Sequence, residues 1–345
     1  MFRSTRAALP ALRSYSTAAP GKPSLTLVAE LRKLTEVSIV KAREALSATN
    51  NDVKAALEWL QKDLEVSGAK KAAKLDGRTA GEGLVGVSVL SAGTGAETGR
   101  GGIRAAMIEL NCETDFVARN ELFGKLVADI AHTAAFISDA QANADGFLNP
   151  VPVDLLNDAP LLSQTPSSSP STATVASAIR DHIAKLGEKI SLKRATAIAH
   201  DPFPSTQSSL GLRIASYTHG GVNLPSQGRI GALALLALKS RNLSTLLTTD
   251  AFRQDLDKLQ RSLARQIVGF ETHSIHSLEG AKDETALYDQ PFIMMAGSLP
   301  DESVRALLDR WAIEKQLVVG TDADEAGGVQ VVEFTKWTVG ENSKP

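Results

Sequence analysis

Apolar positions along this chain recur with two periods, and the changes of period mark its elements. From Thr26 to Asp63 the spacing is helical: Leu27, Leu31 and Leu34, then Ile39, Val40 and Leu46, then Val53, Ala56, Leu57 and Leu60. Three short helices are predicted, and Thr49-Asn50-Asn51-Asp52 offers N-caps between the second and third. Leu84 to Leu90 and Ile103 to Leu110 are apolar runs of strand length joined by a Gly-rich loop, Ala92 to Gly102. Helical spacing resumes at Val117, Phe123, Leu126, Val127, Ile130 and Ala134, which predicts one helix from Phe116 to about Phe136.

Residues 138–174 are rich in Asp, Asn, Pro and Ser, and 165–171 have too little apolar surface to fold alone. The stretch reads as a loop insertion rather than a domain boundary. A second pass through similar elements follows: a helix near Val175 to Gly187, strands at Ile190 to His200, Leu210 to His219 and Ile230 to Lys239, and a helix at Phe252 to Val268. A last helix, Asp301 to Gln316, sets Val304, Leu307, Leu308, Trp311 and Ala312 on one face, with Trp311 read as core, and Val329 to Val339 alternates as a closing strand. The repeated order implies two similar halves that share or flank antiparallel sheet. The predicted class is therefore α+β. Its parts are a lead at 1–25, a three-helix module at 26–66, a Lys-, Ala- and Gly-rich connector at 67–83, a first core half at 84–137, the insertion at 138–174 and a second core half at 175–341.

Composition narrows the function. The 345 residues are 43% hydrophobic, enough for an ordinary globular core, and the formal net charge of -2 gives no global reason to expect nucleic-acid or membrane binding. The longest membrane-like run, Ile230 to Leu238, falls short of the roughly 18 residues a span needs and contains Gly231. Lys70, Lys71 and Lys74 read as a solvated helix face. The lead carries Arg3, Arg6, Arg13 and Lys22 and no acid before Glu30, the composition of a mitochondrial presequence. Arg13-Ser14-Tyr15-Ser16 is similar to a matrix-peptidase site, which predicts a mature start near Ser16 in the mitochondrial matrix; a plain disordered basic terminus is the other reading. Cys112 is the only cysteine, so no intrachain disulfide and no thiolate metal cage can form.

The candidate chemistry lies where the strand ending near Leu110 meets the next helix. Asp115 and Phe116 stand side by side at this junction. Taken alone, they are open to a structural role, with Thr114 or Asp115 as N-cap and Phe116 packed back as a staple, such a cap being worth about 0.5–2 kcal/mol. A hydrolase built on Cys112, with His132, His182 or His219 as base, is a rival, although a thiol at the apolar end of a strand is by default buried and inert. Gly93 to Gly102 lacks the Gly-Lys-Ser/Thr ending of a phosphate loop, so the chain itself is not expected to bind nucleotide.

The whole run Glu109 to Arg119 resembles, at every position, the signature of elongation factor Ts, the nucleotide-exchange partner of the GTPase elongation factor Tu. Leu31-Arg32, Thr35, Ser38 and Ala45-Leu46 are similar to the family's first signature, with Glu36 at its usual Gly and Arg43 at its usual Lys. Gly187-Glu188-Lys189-Ile190 with Arg194, Ser216-Tyr217-Thr218-His219-Gly220, Gly228-Arg229-Ile230-Gly231 and Gln290-Pro291-Phe292 resemble its later runs, so the likeness extends from about Leu27 to Glu341. Gly221 to Gln227 interrupts a turn that is tighter in many bacterial members. The helical hairpin that bacterial members carry before the Gln290 run is missing, as in mitochondrial members.

This resemblance implies that the first module is ubiquitin-associated-like and that the chain performs no covalent chemistry. It implies a one-to-one complex with mitochondrial elongation factor Tu, with no direct nucleic-acid or membrane partner and no cofactor of its own, since the GDP and Mg²⁺ it acts on belong to the GTPase. Asp115 and Phe116, with Thr114, would form the wedge into that GTPase. Arg119, His219, Gly220, Leu34 and Val37 would be secondary contacts. Two roles stay open for His219, partner contact or local hydrogen bonding in a Gly-rich turn. The three-helix module by itself would equally suit a ubiquitin-binding adaptor.

Overall fold

The computed structural model describes residues 23–35, 37–96, 101–139, 146–164, 173–204, 209–278, 282–318 and 327–341. The expected presequence and cleavage site lie outside these residues, as do 165–171 of the insertion. The chain divides into two compact units between Ser67 and Gly68.

The first unit contains α1 (Leu25–Thr35), α2 (Ile39–Ala48) and the start of α3 (Val53–Leu75). Val28, Leu31, Ala42, Ala45, Leu46, Ala56 and Leu60 form its core. Ser38 caps α2 by accepting from the Lys41 N–H at 3.2 Å, and Asp52 caps α3 by accepting from the Ala55 N–H at 3.0 Å. Between them Asn50 and Asn51 take φ of 52° and 65°, a left-handed turn that asparagine tolerates better than most residues. The apolar faces differ from expectation in one respect: Leu34, Ile39 and Val40 are exposed, Leu34 at 61%. The small side chains of Ala42 and Ala45 take the inward positions of α2, where they let the helices approach closely. The third helix also runs on to Leu75, through half of the stretch expected as connector, because Ala, Lys and Leu outweigh the propensity cost of Gly68.

The second unit is built on two antiparallel sheets. The first contains β1 (Glu82–Ala92), β2 (Ile103–Cys112), β3 (Asn149–Pro150), β4 (Ile190–His200) and β6 (Gln227–Gly228), in the order β3-β4-β2-β1-β6. The second contains β5 (Leu210–His219), β7 (Ile230–Lys239) and β8 (Gly328–Thr338), in the order β5-β7-β8. Of the helices, α4 (Asp115–Ala118), α5 (Glu121–Ile137), α6 (Val153–Asp158) and α7 (Val175–Leu186) accompany the first sheet. The second carries α8 (Leu243–Leu247), α9 (Asp250–Gly269) and α10 (Val304–Glu314).

Strand alternation explains the layers. Along β2, Ala106, Ile108 and Leu110 pack towards α5 and α7, while Ala105 and Met107 face the other way. There they meet Leu212, Ile214, Leu233 and Leu235 of the second sheet, whose opposite face carries α9 and α10. The sheets are thus buried on both faces, which is why the middles of β2, Ala105 to Ile108, and of β7, Ala232 to Leu238, read as continuous apolar runs rather than as alternating ones.

The seam between the halves is not where composition suggested. Helix α7 packs in the core under the first sheet, and β4 pairs with β2 from Ile103↔His200 to Cys112↔Ile190, so residues 175–200 complete the first half. The described residues 146–164 stay with this layer, where Asn149 and Pro150 pair with Ala197 and Thr196 of β4. They are also more than loop. Pro150 lies on the edge strand β3, where no ladder donor is needed, and Leu156 of α6 is fully buried. Asp129 accepts from the Gln164 N–H at 3.0 Å, and Thr133 Oγ1 accepts from the Leu162 N–H at 2.9 Å, fastening the excursion to α5.

Candidate functional site

At the end of β2 the chain leaves the core through a series of side chains with distinct tasks. Cys112 is fully buried and its Sγ–H donates to the Thr114 carbonyl at 3.2 Å. Burial, reinforced by the nearby carboxylates of Glu188 and Glu82, pushes its thiol up to about 12. A thiol that does not ionise is no nucleophile, so the hydrolase reading loses its chemistry. The Glu113 carboxylate accepts from the Lys189 N–H at 2.7 Å and from Arg78 Nη1 at 3.2 Å. That backbone bond first, and the Arg78 guanidinium next, hold it below the usual glutamate range.

Thr114 is the cap of α4, with φ −127° and ψ 156°, and its Oγ1 accepts from the Val117 N–H at 3.4 Å. The same hydroxyl donates to Glu188 Oε1 at 2.6 Å, and the Thr114 N–H donates to Glu188 Oε2 at 3.1 Å. Thr114 therefore spends its polar groups inside the corner, on holding it. Val117 and Ala118 are buried beneath the single turn. Phe116 stands on its outer side, 82% exposed, and is not a staple. Beside it, Asp115 Oδ2 lies 3.4 Å from Arg119 Nη2, both side chains well solvated, an ion pair of small energy.

The helix predicted from Phe116 to Phe136 is in fact two. Asn120, extended at φ −71° and ψ 136°, interrupts it and caps α5 by accepting from the Leu122 N–H at 2.8 Å. An asparagine that bonds the backbone two residues on competes with continuing the helix. The break separates α4 from α5 and leaves Phe116 exposed on a single turn.

The loop between β5 and β7 supplies the facing wall. His219 ends β5, exposed, and its carbonyl accepts from the Arg229 N–H at 2.7 Å. Gly220 takes φ 79°, a left-handed value that turns the chain. Val85 and Gly86 of β1 then pair with Gly228 and Gln227, so the loop is laced onto the first sheet. Asn223 Nδ2 donates to the Arg119 carbonyl at 3.0 Å, and Gln227 Nε2 donates to the carbonyl of Gly124 in α5. The result is an open cleft of about 220 Å³ with Asp115, Ala118 and Arg119 on one side and Gly220, Val222, Asn223 and Arg229 on the other.

The structure thus brings together Thr114, Asp115, Phe116, Arg119 and Gly220, with His219 at the shoulder of the same hairpin. Leu34 and Val37 belong to the first unit; Val37 packs partly against the core there, and its carbonyl accepts from Arg32 Nε at 3.1 Å. Sequence reading did not single out Asn223, Gln227 or Val222, polar and apolar loop residues with no pattern to flag them. Among the described residues no group of three or more His, Cys, Asp or Glu side chains converges to hold a metal ion.

A profile of the family described as "Elongation factor TS" matches residues 113–279, which begin at this corner. "Elongation factor Ts, mitochondrial" of Laccaria bicolor is 57% identical over 342 residues, covering 99% of each chain. The protein of that name from Coprinopsis cinerea is 55% identical over 343 residues, again 99% of each, and "Elongation factor Ts, mitochondrial 2" of Postia placenta is 53% identical over 334 residues, 97% of each. With more than half of all positions shared along nearly its whole length, this chain belongs to the elongation factor Ts family of translation elongation factors.

Proposed function

We propose that the chain binds mitochondrial elongation factor Tu in the matrix, one to one, and accelerates release of its GDP. The reading rests on one observation, an aromatic ring held 82% in solvent on a corner whose backbone is fixed from within by the polar groups of Thr114. Burying a phenylalanine side chain in a partner gains about 1.5–3 kcal/mol, energy available only if the partner opens a place for it. Asp115 is held loosely by Arg119 and can exchange that partner for donors around the Mg²⁺ and β-phosphate of the GTPase.

No bond is made or broken, and no cofactor of the chain's own takes part. Exchange follows from binding the nucleotide-free GTPase more tightly than the nucleotide-bound one, and the coupling is reciprocal: each tenfold weakening of GDP corresponds to about 1.4 kcal/mol. GTP rebinding then expels the factor. His219 and Gly220 extend the contact face on the far side of the cleft. The three-helix module, ubiquitin-associated-like in this reading, adds a docking edge through exposed Leu34, with Val37 shaping the turn behind it.

The test is release of a fluorescent GDP from elongation factor Tu with catalytic amounts of this protein. Phe116→Ala and Asp115→Ala are each expected to slow release about tenfold or more. Release at the wild-type rate by both variants would remove the wedge.

A further inference from the structure

A helix of one turn has no stability of its own, because nucleation is unfavourable and too few hydrogen bonds follow. The orientation of α4, and with it the direction in which Phe116 points, is therefore imposed from outside. Two contacts impose it from the rear. The Glu188 carboxylate takes both donors of Thr114, the hydroxyl at 2.6 Å and the N–H at 3.1 Å, while Glu113 returns the favour to the Lys189 N–H at 2.7 Å. Residues 113–114 and 188–189 thus exchange bonds in both directions, 74 to 76 positions apart in sequence. Gly187 makes this possible: it ends α7 with φ 78°, a left-handed cap that swings Glu188 out of the helix towards Thr114.

We infer that Glu188 is a positioning residue for the exchange wedge, setting the angle at which Phe116 and Asp115 meet the GTPase; the inference rests on the exchange reading above. Glu188 is only half-buried, and its carboxylate binds Thr114 rather than any core group. Removing it exposes the Thr114 donors to water, which satisfies them without preserving their direction. The β5–β7 loop, which forms the other wall of the cleft, keeps its own bonds to β1 and to Arg119. Loss of Glu188 therefore lowers the rate at which a bound GTPase releases GDP more than it weakens binding. Glutamine in its place keeps an acceptor for the Thr114 N–H and a group that can pair with the hydroxyl, so it restores most of the rate.

The experiment measures GDP-release kcat and KM, with thermal unfolding alongside, for Glu188→Ala, Glu188→Gln, Phe116→Ala and the Phe116→Ala/Glu188→Ala double variant. Expected are a kcat about tenfold lower for Glu188→Ala with KM within about threefold, recovery in Glu188→Gln, and a double variant slower than Phe116→Ala by clearly less than that tenfold, since only Asp115 is then left to misplace and residues acting as one unit are not additive. Additive losses, a change confined to KM, or a wild-type kcat in Glu188→Ala would overturn the inference. If Glu188→Ala does not fold, Thr114→Val replaces it, removing the hydroxyl from the other side of the same contact. Should Phe116→Ala itself exchange at the wild-type rate, it is the wedge that fails; a slow Phe116→Ala beside a fast Glu188→Ala removes only the positioning role.

Discussion

Two short motifs of this chain, Thr114-Asp115-Phe116 and Gln290-Pro291-Phe292, each end in a phenylalanine, and the fold uses them in opposite ways. Phe292 is 1% exposed, and Gln290 beside it is a buried hub: its Nε2 donates to the carbonyls of Glu271 and Glu284 at 3.1 Å, and its Oε1 accepts from Gln266 Nε2 at 3.1 Å. Here polar groups close a loop over an aromatic ring. At Phe116 the polar groups hold the backbone from within and leave the ring outside. A buried ring with satisfied neighbours stabilises the fold; a presented ring on a fixed backbone costs stability little and is available to a partner.

The strongest way to break this contrast is to truncate both rings. Phe292→Ala is expected to destabilise by about 3–5 kcal/mol, read in chemical denaturation, whereas Phe116→Ala should change stability by less than about 0.5 kcal/mol. Equal losses would show that Phe116 is packed after all. An intermediate effect comes from pH. Glu302, whose carbonyl accepts from the Phe292 N–H at 2.8 Å, has its carboxylate forked by Arg310 Nε at 2.7 Å and Nη2 at 2.8 Å, which holds it down at about 2. Because the folded value is depressed, this stabilisation is complete above the ordinary value of 4.5 and is lost as pH falls towards about 2. Glu302→Gln should therefore cost about 1.5–3 kcal/mol at pH 7 and progressively less below pH 4.5, with the two stability curves converging near pH 2. Parallel curves would remove the pair from the account. The smallest effect is expected at the presented motif. Arg119→Ala should leave stability within about 0.5 kcal/mol and slow GDP release no more than a few-fold, since the carbonyl that Asn223 uses is retained. A tenfold loss would make Arg119 a direct contact.

Much of this was legible in local pattern. The six long strands of the two sheets, the buried face of α10 and the corner itself follow from period and from one contiguous run of residues, whereas the two-residue strands β3 and β6 do not. What escaped was set by long-range hydrogen bonding. Nothing in residues 175–200 says that β4 pairs with β2 rather than opening a new sheet, because an apolar strand carries no address. The break at Asn120 was readable in principle, asparagine being a good cap, but the apolar spacing on either side hid it. Glu188 lay inside a recognised run, yet its partner is Thr114, far away in sequence, and only the folded chain joins them.

The two-residue strand β6 has one further consequence. Its flanks belong to the hairpin of the second sheet, while its own backbone hydrogen-bonds to β1 of the first. That stitch, together with the shared interior of Met107, Leu233 and Leu235, ties the two sheets to each other. A load on the ring at the corner is therefore shared by both sheets, as by one beam.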